Sequence, residues 1–203
     1  MNTSDEAIAL LRDAWPMIVE ECRACLGGEL HYQAMIYHCL RSSGGPRGQI
    51  GMNVKQWITN VASEVFRKAD LRKHVDYRGG FEPIPDIVLF KPTVGADWRR
   101  RNPEHTMREM LVAIEVKASE RHLNRLGRAE ICRDIEKLAA HKEEIIARGS
   151  DMTPVMLVVD TAPDEEERMT EWALQESRER ASEMGVLWLY LGRDRVEKPS
   201  SWG

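Results

Sequence analysis

Asp86 and the triplet Glu115-Val116-Lys117 are the residues of this 203-residue chain best suited to chemistry, because each sets charge inside an apolar run. Asp86 follows Pro85 and is followed at once by Ile-Val-Leu-Phe, while Glu115 and Lys117 interrupt LVAIEVKA (111–118). Side chains alternate along a strand, so Glu115 and Lys117 share one face with Leu111 and Ala113, opposite Val112, Ile114 and Val116. A carboxylate and an ammonium on one face of a central strand are costly to bury unless paired or metal-bound. The plain alternative is a Glu–Lys ion pair at the exposed end of a strand. If the two runs are neighbouring strands, Asp86 and Glu115 converge, and two carboxylates so close repel each other. A divalent cation relieves that repulsion, and hard oxygen ligands suit Mg2+, with Mn2+ as a substitute. Such a metal lowers the pKa of a bound water and neutralises charge building on a phosphate. Lys117 could then position or deprotonate that water, or stabilise a pentavalent phosphorus.

The elements that must hold these residues follow from periodicity. Ile8, Leu11, Trp15, Ile18 and Cys22 space a helix over Asp5 to about Leu26, which Pro16 is expected to kink or divide. Gly27-Gly28 breaks the chain. A second helix, ELHYQAMIYHCLR, opens on Glu29 at the positive end of its dipole, with Leu30, Ala34, Tyr37 and Cys39/Leu40 on its apolar side. SSGGPRGQIG (42–51) reads as a loop, and 53–69 reads equally as a helix or a strand. Strands are expected at 74–78, 86–90, 111–118, 154–160 and 185–191, with helices over 126–147 and 164–184 and a frayed tail. This order gives the α/β class, helices around a mixed sheet. With no internal repeat and no long linker, residues 1–203 form one domain.

Composition sets further bounds. No apolar run approaches the ~20 residues of a membrane span. The acidic opening MNTSDEAIALLRDAW lacks the basic, apolar pattern of a secretory signal, and four cysteines without such a signal point to the reducing cytoplasm. The net charge of -4 argues against a protein that coats nucleic acid by bulk electrostatics. The charge is uneven, however. Residues 41–101 carry 12 basic and 6 acidic groups, whereas the segments on either side are net acidic, so the middle third can present a positive face.

Pro85-Asp86, 28 intervening positions, then Glu115-Val116-Lys117 followed by a helix and a buried strand resemble the PD-(D/E)XK nuclease superfamily, the restriction-endonuclease-like fold. The resemblance covers roughly residues 29–160 as an αβββαβ core. Residues 1–28 are then an added N-terminal helix, and 161–203 an added helix and strand. It implies a metal-dependent nuclease, an endonuclease acting on DNA, with RNA left open as a substrate. Asp86, Glu115 and the Val116 backbone carbonyl would hold Mg2+, and Lys117 would be catalytic. The extra acidic residue that members often take from the first core helix would be Glu29, with Glu64 as the alternative. The spacing between the two motif strands is long for this superfamily, as an insertion would make it. The competing readings are a nuclease-like module that only binds or scaffolds, and an α/β protein whose Glu–Lys pair is structural.

The insertion KPTVGADWRRRNPEHTMREM places Arg99, Arg100 and Arg101 beside Trp98. Such a group can grip a phosphate backbone or stack on a base, or it is a solvated hairpin tip. Lys91, Arg72 and Lys73 could extend that surface, and Arg121, Arg125 and Arg128 could face the site from the following helix. Asp134 and Lys137 read as a structural i, i+3 pair. Cys22-x-x-Cys25 lacks the second pair that a zinc site needs, so the cysteines read as core. No phosphate-cradling loop is present, so any energy-driven translocation, like sequence specificity, would come from a partner protein. Cutting both strands of a duplex would call for a homodimer.

Overall fold

The two longest apolar runs lack polar alternation, so both faces of the strands they form must be covered. A computed structural model of the chain describes residues 1–100, 102–120 and 124–202. The elements in order are α1 (Ser4–Ala24), α2 (Glu29–Ser42), β1 (Ile50–Met52), α3 (Glu64–Leu71), β2 (Ile87–Phe90), α4 (Pro103–Arg108) and β3 (Met110–Ala118). There follow α5 (Arg128–Ile146), β4 (Thr153–Asp160), α6 (Glu171–Glu183), β5 (Leu187–Gly192) and β6 (Val196–Glu197). Among the described residues the strands make one open mixed sheet of six, ordered β1-β2-β3-β4-β5-β6. The β1–β2–β3 meander is antiparallel, β3, β4 and β5 are parallel, and β6 returns antiparallel on β5.

Each sheet face carries its own core. On one, Leu11, Trp15 and Ile18 of α1 and Ile36 and Leu40 of α2 cover Leu89, Ile114, Val116 and Leu157. On the other, Phe66 of α3, Ile131, Ile135 and Leu138 of α5 and Leu174 of α6 cover Val88, Ala113, Met156 and Trp188. No helix among the described residues is long and apolar enough to cross a membrane.

Several elements depart from the sequence reading for identifiable reasons. Pro16 neither divides nor ends α1, which runs unbroken; the proline is exposed, so the bond it cannot make is left on the solvent side. α2 buries Tyr32, Ile36, Cys39 and Leu40 and leaves Leu30 71% exposed, because two apolar stripes compete and the sheet selects one. The first of the three antiparallel strands is β1, not 74–78. Residues 75–77 form a short 3-10 turn that leads into Gly79 and Gly80, both at positive φ (113° and 155°). A Cβ on Gly80 would stand 2.3 Å from the Ile58 carbonyl oxygen. Leu111 is the extra residue of a bulge between β2 and β3, so it joins the α1–α2 core with Val112 and does not share the face of Ala113. The acidic helix starts only at Glu171, where Thr170 caps it by accepting from the Ala173 amide at 3.1 Å; the adjacent acids 164–167 stay outside. The tail is packed, with Trp202 edge-on to Trp15 at 6.4 Å.

Glu144 ties α5 to the start of α3. It is fully buried, accepts from the amides of Ala62 (2.8 Å) and Ser63 (2.7 Å), and pairs with Arg148 at 2.7 Å. Glu144→Ala leaves both amides and the guanidinium unsatisfied and is expected to lower the unfolding free energy by about 3–5 kcal/mol in urea denaturation. A loss under about 1 kcal/mol would place this pair with solvent-screened surface bridges.

Candidate active site

Antiparallel pairing of β2 with β3 brings the two motif segments together. Ile87 pairs with Ile114, which sets Asp86 across from the Glu115–Val116 peptide, and Asp86 Oδ2 accepts from the Val116 amide at 2.7 Å. Asp86 is 7% exposed. Burial pushes its carboxyl up to about 6, although the Val116 bond and the Lys117 charge oppose this. Glu115 is pushed up further, to about 8, first by burial and then by the Asp86 charge, against the pull of Lys117. Two carboxylates crowded in a poorly hydrated place thus leave the site wanting positive charge.

Lys117 supplies some of it. Its Nζ lies 3.2 Å from both carboxylate oxygens of Glu29, 3.3 Å from Glu115 Oε1 and from the Val116 carbonyl oxygen, and 3.6 Å from Asp134 Oδ2. Burial pulls the Lys117 ammonium down, but Glu115, Glu29 and Asp134 outweigh it and hold the group protonated above its ordinary value. Glu29, by contrast, is raised by burial despite its bond to Lys117.

The expected residues therefore meet, across three elements. Asp86 comes from the entry to β2, Glu115 and Lys117 from β3, and Glu29 from the first turn of α2. Glu64 does not join them: it lies exposed on α3, paired with Lys68 at 2.7 Å. A cavity of about 250 Å³ opens beside the group, with Glu115, Asp134, Phe66, Phe81, Glu82 and His141 among its walls.

Two participants were not anticipated. Asp134 does form the expected pair with Lys137 (2.7 Å), but its other oxygen faces Lys117. The signal was available, since Asp134 interrupts the buried stripe Ile131, Ile135, Leu138 of α5. Glu120, just past β3, accepts from the Glu29 amide at 2.5 Å and so fixes the start of α2. No local pattern in the sequence announces that contact.

The basic insertion is more tied down than its composition suggested. Arg99 is held by Asp97 (2.7 Å). Arg100 pairs with Glu82 (2.6 Å), which places it at the rim of the cavity. Trp98 stacks on Phe90, centroids 5.5 Å apart, and packs against the core. Arg101 and Arg121 lie outside the described residues. Arg125 donates to the Arg168 carbonyl (2.7 Å), and Arg128 pairs with Glu176 (3.4 Å) on α6. All four cysteines are free thiols. Burial pushes Cys22 up to about 12 and Cys39 up to about 11, as for packed, protonated sulfur.

Among the described residues no three His, Cys, Asp or Glu side chains form a metal-holding group. The expected donor set is two carboxylates, Asp86 and Glu115, and one carbonyl, that of Val116; Glu115 lines the cavity, while Asp86 Oδ2 accepts from the Val116 amide and the Val116 carbonyl from Lys117 Nζ. All are hard oxygens, and Mg2+ is usually held by one or two carboxylates with several waters retained, so the residues fit such an ion. The chain matches no family model, no curated protein and no solved structure.

Proposed function

We propose that this chain is a Mg2+-dependent nuclease of the restriction-endonuclease-like fold, hydrolysing phosphodiester bonds of DNA. The observation that carries the reading is the convergence of Asp86, Glu115, Lys117 and Glu29, with Glu115 in the wall of a cavity. An ordinary surface ion pair needs only two of these groups, and gathering four, with Asp86 and Lys117 buried, costs stability that a merely structural pair would not require. With the short helices α3 and α4 set aside as insertions between the strands, the succession α2-β1-β2-β3-α5-β4 parallels the αβββαβ core of that fold and supports the same reading.

In this reading Asp86, Glu115 and the Val116 carbonyl hold the ion. When bound, the ion supplies a water of lowered pKa and neutralises negative charge on the scissile phosphate. Asp86 is oriented by the Val116 amide, so the strand carrying the carbonyl also fixes the carboxylate. Lys117 orients the attacking water or donates to a phosphate oxygen, and Glu29 and Asp134 keep its ammonium aimed into the site. Arg100 at the rim offers a contact for the neighbouring phosphate.

The test is cleavage of supercoiled plasmid and of single-stranded DNA and RNA by the purified chain with Mg2+ or Mn2+, against EDTA. Glu115→Ala and Asp86→Ala serve as controls. Nicking that needs metal and falls at least about 100-fold in both variants is expected. A folded chain that leaves every substrate intact, or activity equal in the variants, removes the reading.

A further inference from the structure

Between β1 and β2 the chain makes an excursion closed at its base by the Ile58–Phe81 bridge, whose amides donate to each other's carbonyls at 2.8 and 2.9 Å. Its inner side is fixed. Phe66 stacks on Phe81 with centroids 4.2 Å apart, and Lys73 Nζ lies 5.4 Å from the Trp57 and Phe81 rings while donating to the Gly80 carbonyl at 2.6 Å. Phe66, Phe81 and Glu82 then wall the cavity that holds Glu115.

Its outer side is built differently. Tyr77 is 72% exposed, with Leu71 and Val75 also largely bare. Interleaved with them are the exposed arginines Arg67, Arg72 and Arg78. No ion pair engages these three among the described residues; Arg78 donates only to the carbonyls of Lys73 and Leu71. Two acids of the same excursion, Glu64 and Asp70, are paired with Lys68 (2.7 Å) and Lys73 (3.2 Å). The exposed phenol ring of Tyr77, with His74 T-shaped to it at 6.2 Å between centroids, is flanked along the chain by guanidinium groups that carry no ion pair among the described residues, and it stands four residues from a wall of the cavity; it has the chemistry of a stacking platform for unpaired bases with adjoining phosphate contacts. Base pairs stacked within a duplex do not offer their faces to such a ring.

Resting on the nuclease reading, we propose that the excursion 59–80 engages a single-stranded stretch of nucleic acid, stacking a base on Tyr77 and pairing phosphates with Arg67 and Arg72. The substrate class is then a single strand, or a duplex with an unpaired end or flap.

The test is binding without catalysis: fluorescence anisotropy in EDTA with a labelled single strand, as DNA and as RNA, and with the same sequence as a blunt duplex. Wild type is expected to prefer the single strand. Tyr77→Ala is expected to weaken that binding about tenfold, while Tyr77→Phe retains it. Arg67→Ala/Arg72→Ala is expected to reduce the slope of log K on log salt by about 1.4, at ~0.7 per phosphate contact. The DNA and RNA arms identify which strand is bound. Equal affinity of Tyr77→Ala and wild type, preference for blunt duplex, or no binding to any strand overturns the proposal. So does a dimer in sedimentation that Tyr77→Ala dissolves, since the patch would then be a protein interface. Single-strand binding lost in Tyr77→Ala without any metal-dependent cleavage would uphold the platform and remove the nuclease reading. Cleavage with unchanged Tyr77→Ala affinity would do the reverse.

Discussion

Lys117→Met is expected to abolish metal-dependent cleavage and to destabilise the fold by about 3 kcal/mol at pH 8. The ammonium is the positive group among Glu29, Glu115 and Asp134, with Asp86 across the strand, and its side chain is only 9% exposed. Removing it leaves like charges facing one another in a place that water screens poorly. The carboxyls respond by binding protons more tightly in the folded state than in the unfolded one. Such groups contribute stability that is complete below their unfolded pKa and lost as pH rises through the folded value. The deficit of Lys117→Met should therefore be large at pH 8 and shrink towards pH 5. Lys117→Arg restores the charge but not the compact shape, so it should recover most of the stability and little of the cleavage. Denaturant titrations at the two pH values and plasmid nicking by the same preparations check this. A deficit independent of pH would mean that the cluster is solvated, and full cleavage by Lys117→Met would remove Lys117 from the chemistry.

The parts of the site that could be read in the sequence are those whose cost is local. A charge inside LVAIEVKA or before IVLF has no neutral explanation within its own strand, and the strands are identifiable because both their faces are buried. Glu29 was accessible for a similar reason, since an acid at a helix start after two glycines marks where α2 begins. What eluded the sequence is set by partners far along the chain. Asp134 makes a good i, i+3 pair with Lys137, and although its place in the buried stripe of α5 marks it, nothing nearby identifies a lysine on β3 as the partner of its second oxygen. β1 is three residues long and follows a glycine-rich stretch, so its identity comes from its pairing with β2. The polar–apolar run at 74–78 imitates a strand, but Gly79 and Gly80 turn the chain before any partner can be reached. Trp98 beside three arginines resembled a base-stacking tip, yet Phe90 lies flat against its ring. Composition ranks residue types, while contacts across the fold decide which of them remain free.

His141 gives the stability prediction with the clearest sign. It is 2% exposed, and its Nε2 lies 2.7 Å from Gln56 Oε1; Gln56 in turn donates to Met110 Sδ at 3.0 Å. A carbonyl oxygen can only accept, so the ring donates from Nε2. Burial, with a smaller push from the Arg148 charge, lowers the imidazole to about 3. An unfolded histidine titrates near 6.5, so the unfolded state gains a proton that the folded state refuses. The stability from this neutral ring is complete above pH ~6.5 and falls as pH drops towards about 3, at ~1.36 kcal/mol per unit. Between pH 7 and pH 4.5 it should lose about 3 kcal/mol. Asp86 and Glu115 act in the opposite direction, because their raised carboxyls gain stability as pH falls. The wild-type curve alone therefore mixes the two. His141→Gln keeps a donor for Gln56 and removes only the titrating ring, so the wild-type-minus-variant difference isolates the histidine. That difference should fall steadily from pH 7 to pH 4.5; a flat line would mean that the ring is protonated or hydrated in the folded protein. The same α5 stripe carries Asp134, two turns before His141. Acid that strains this anchor also loosens the wall facing Lys117, so in wild type cleavage should decline on the acid side before global unfolding, and less steeply in His141→Gln.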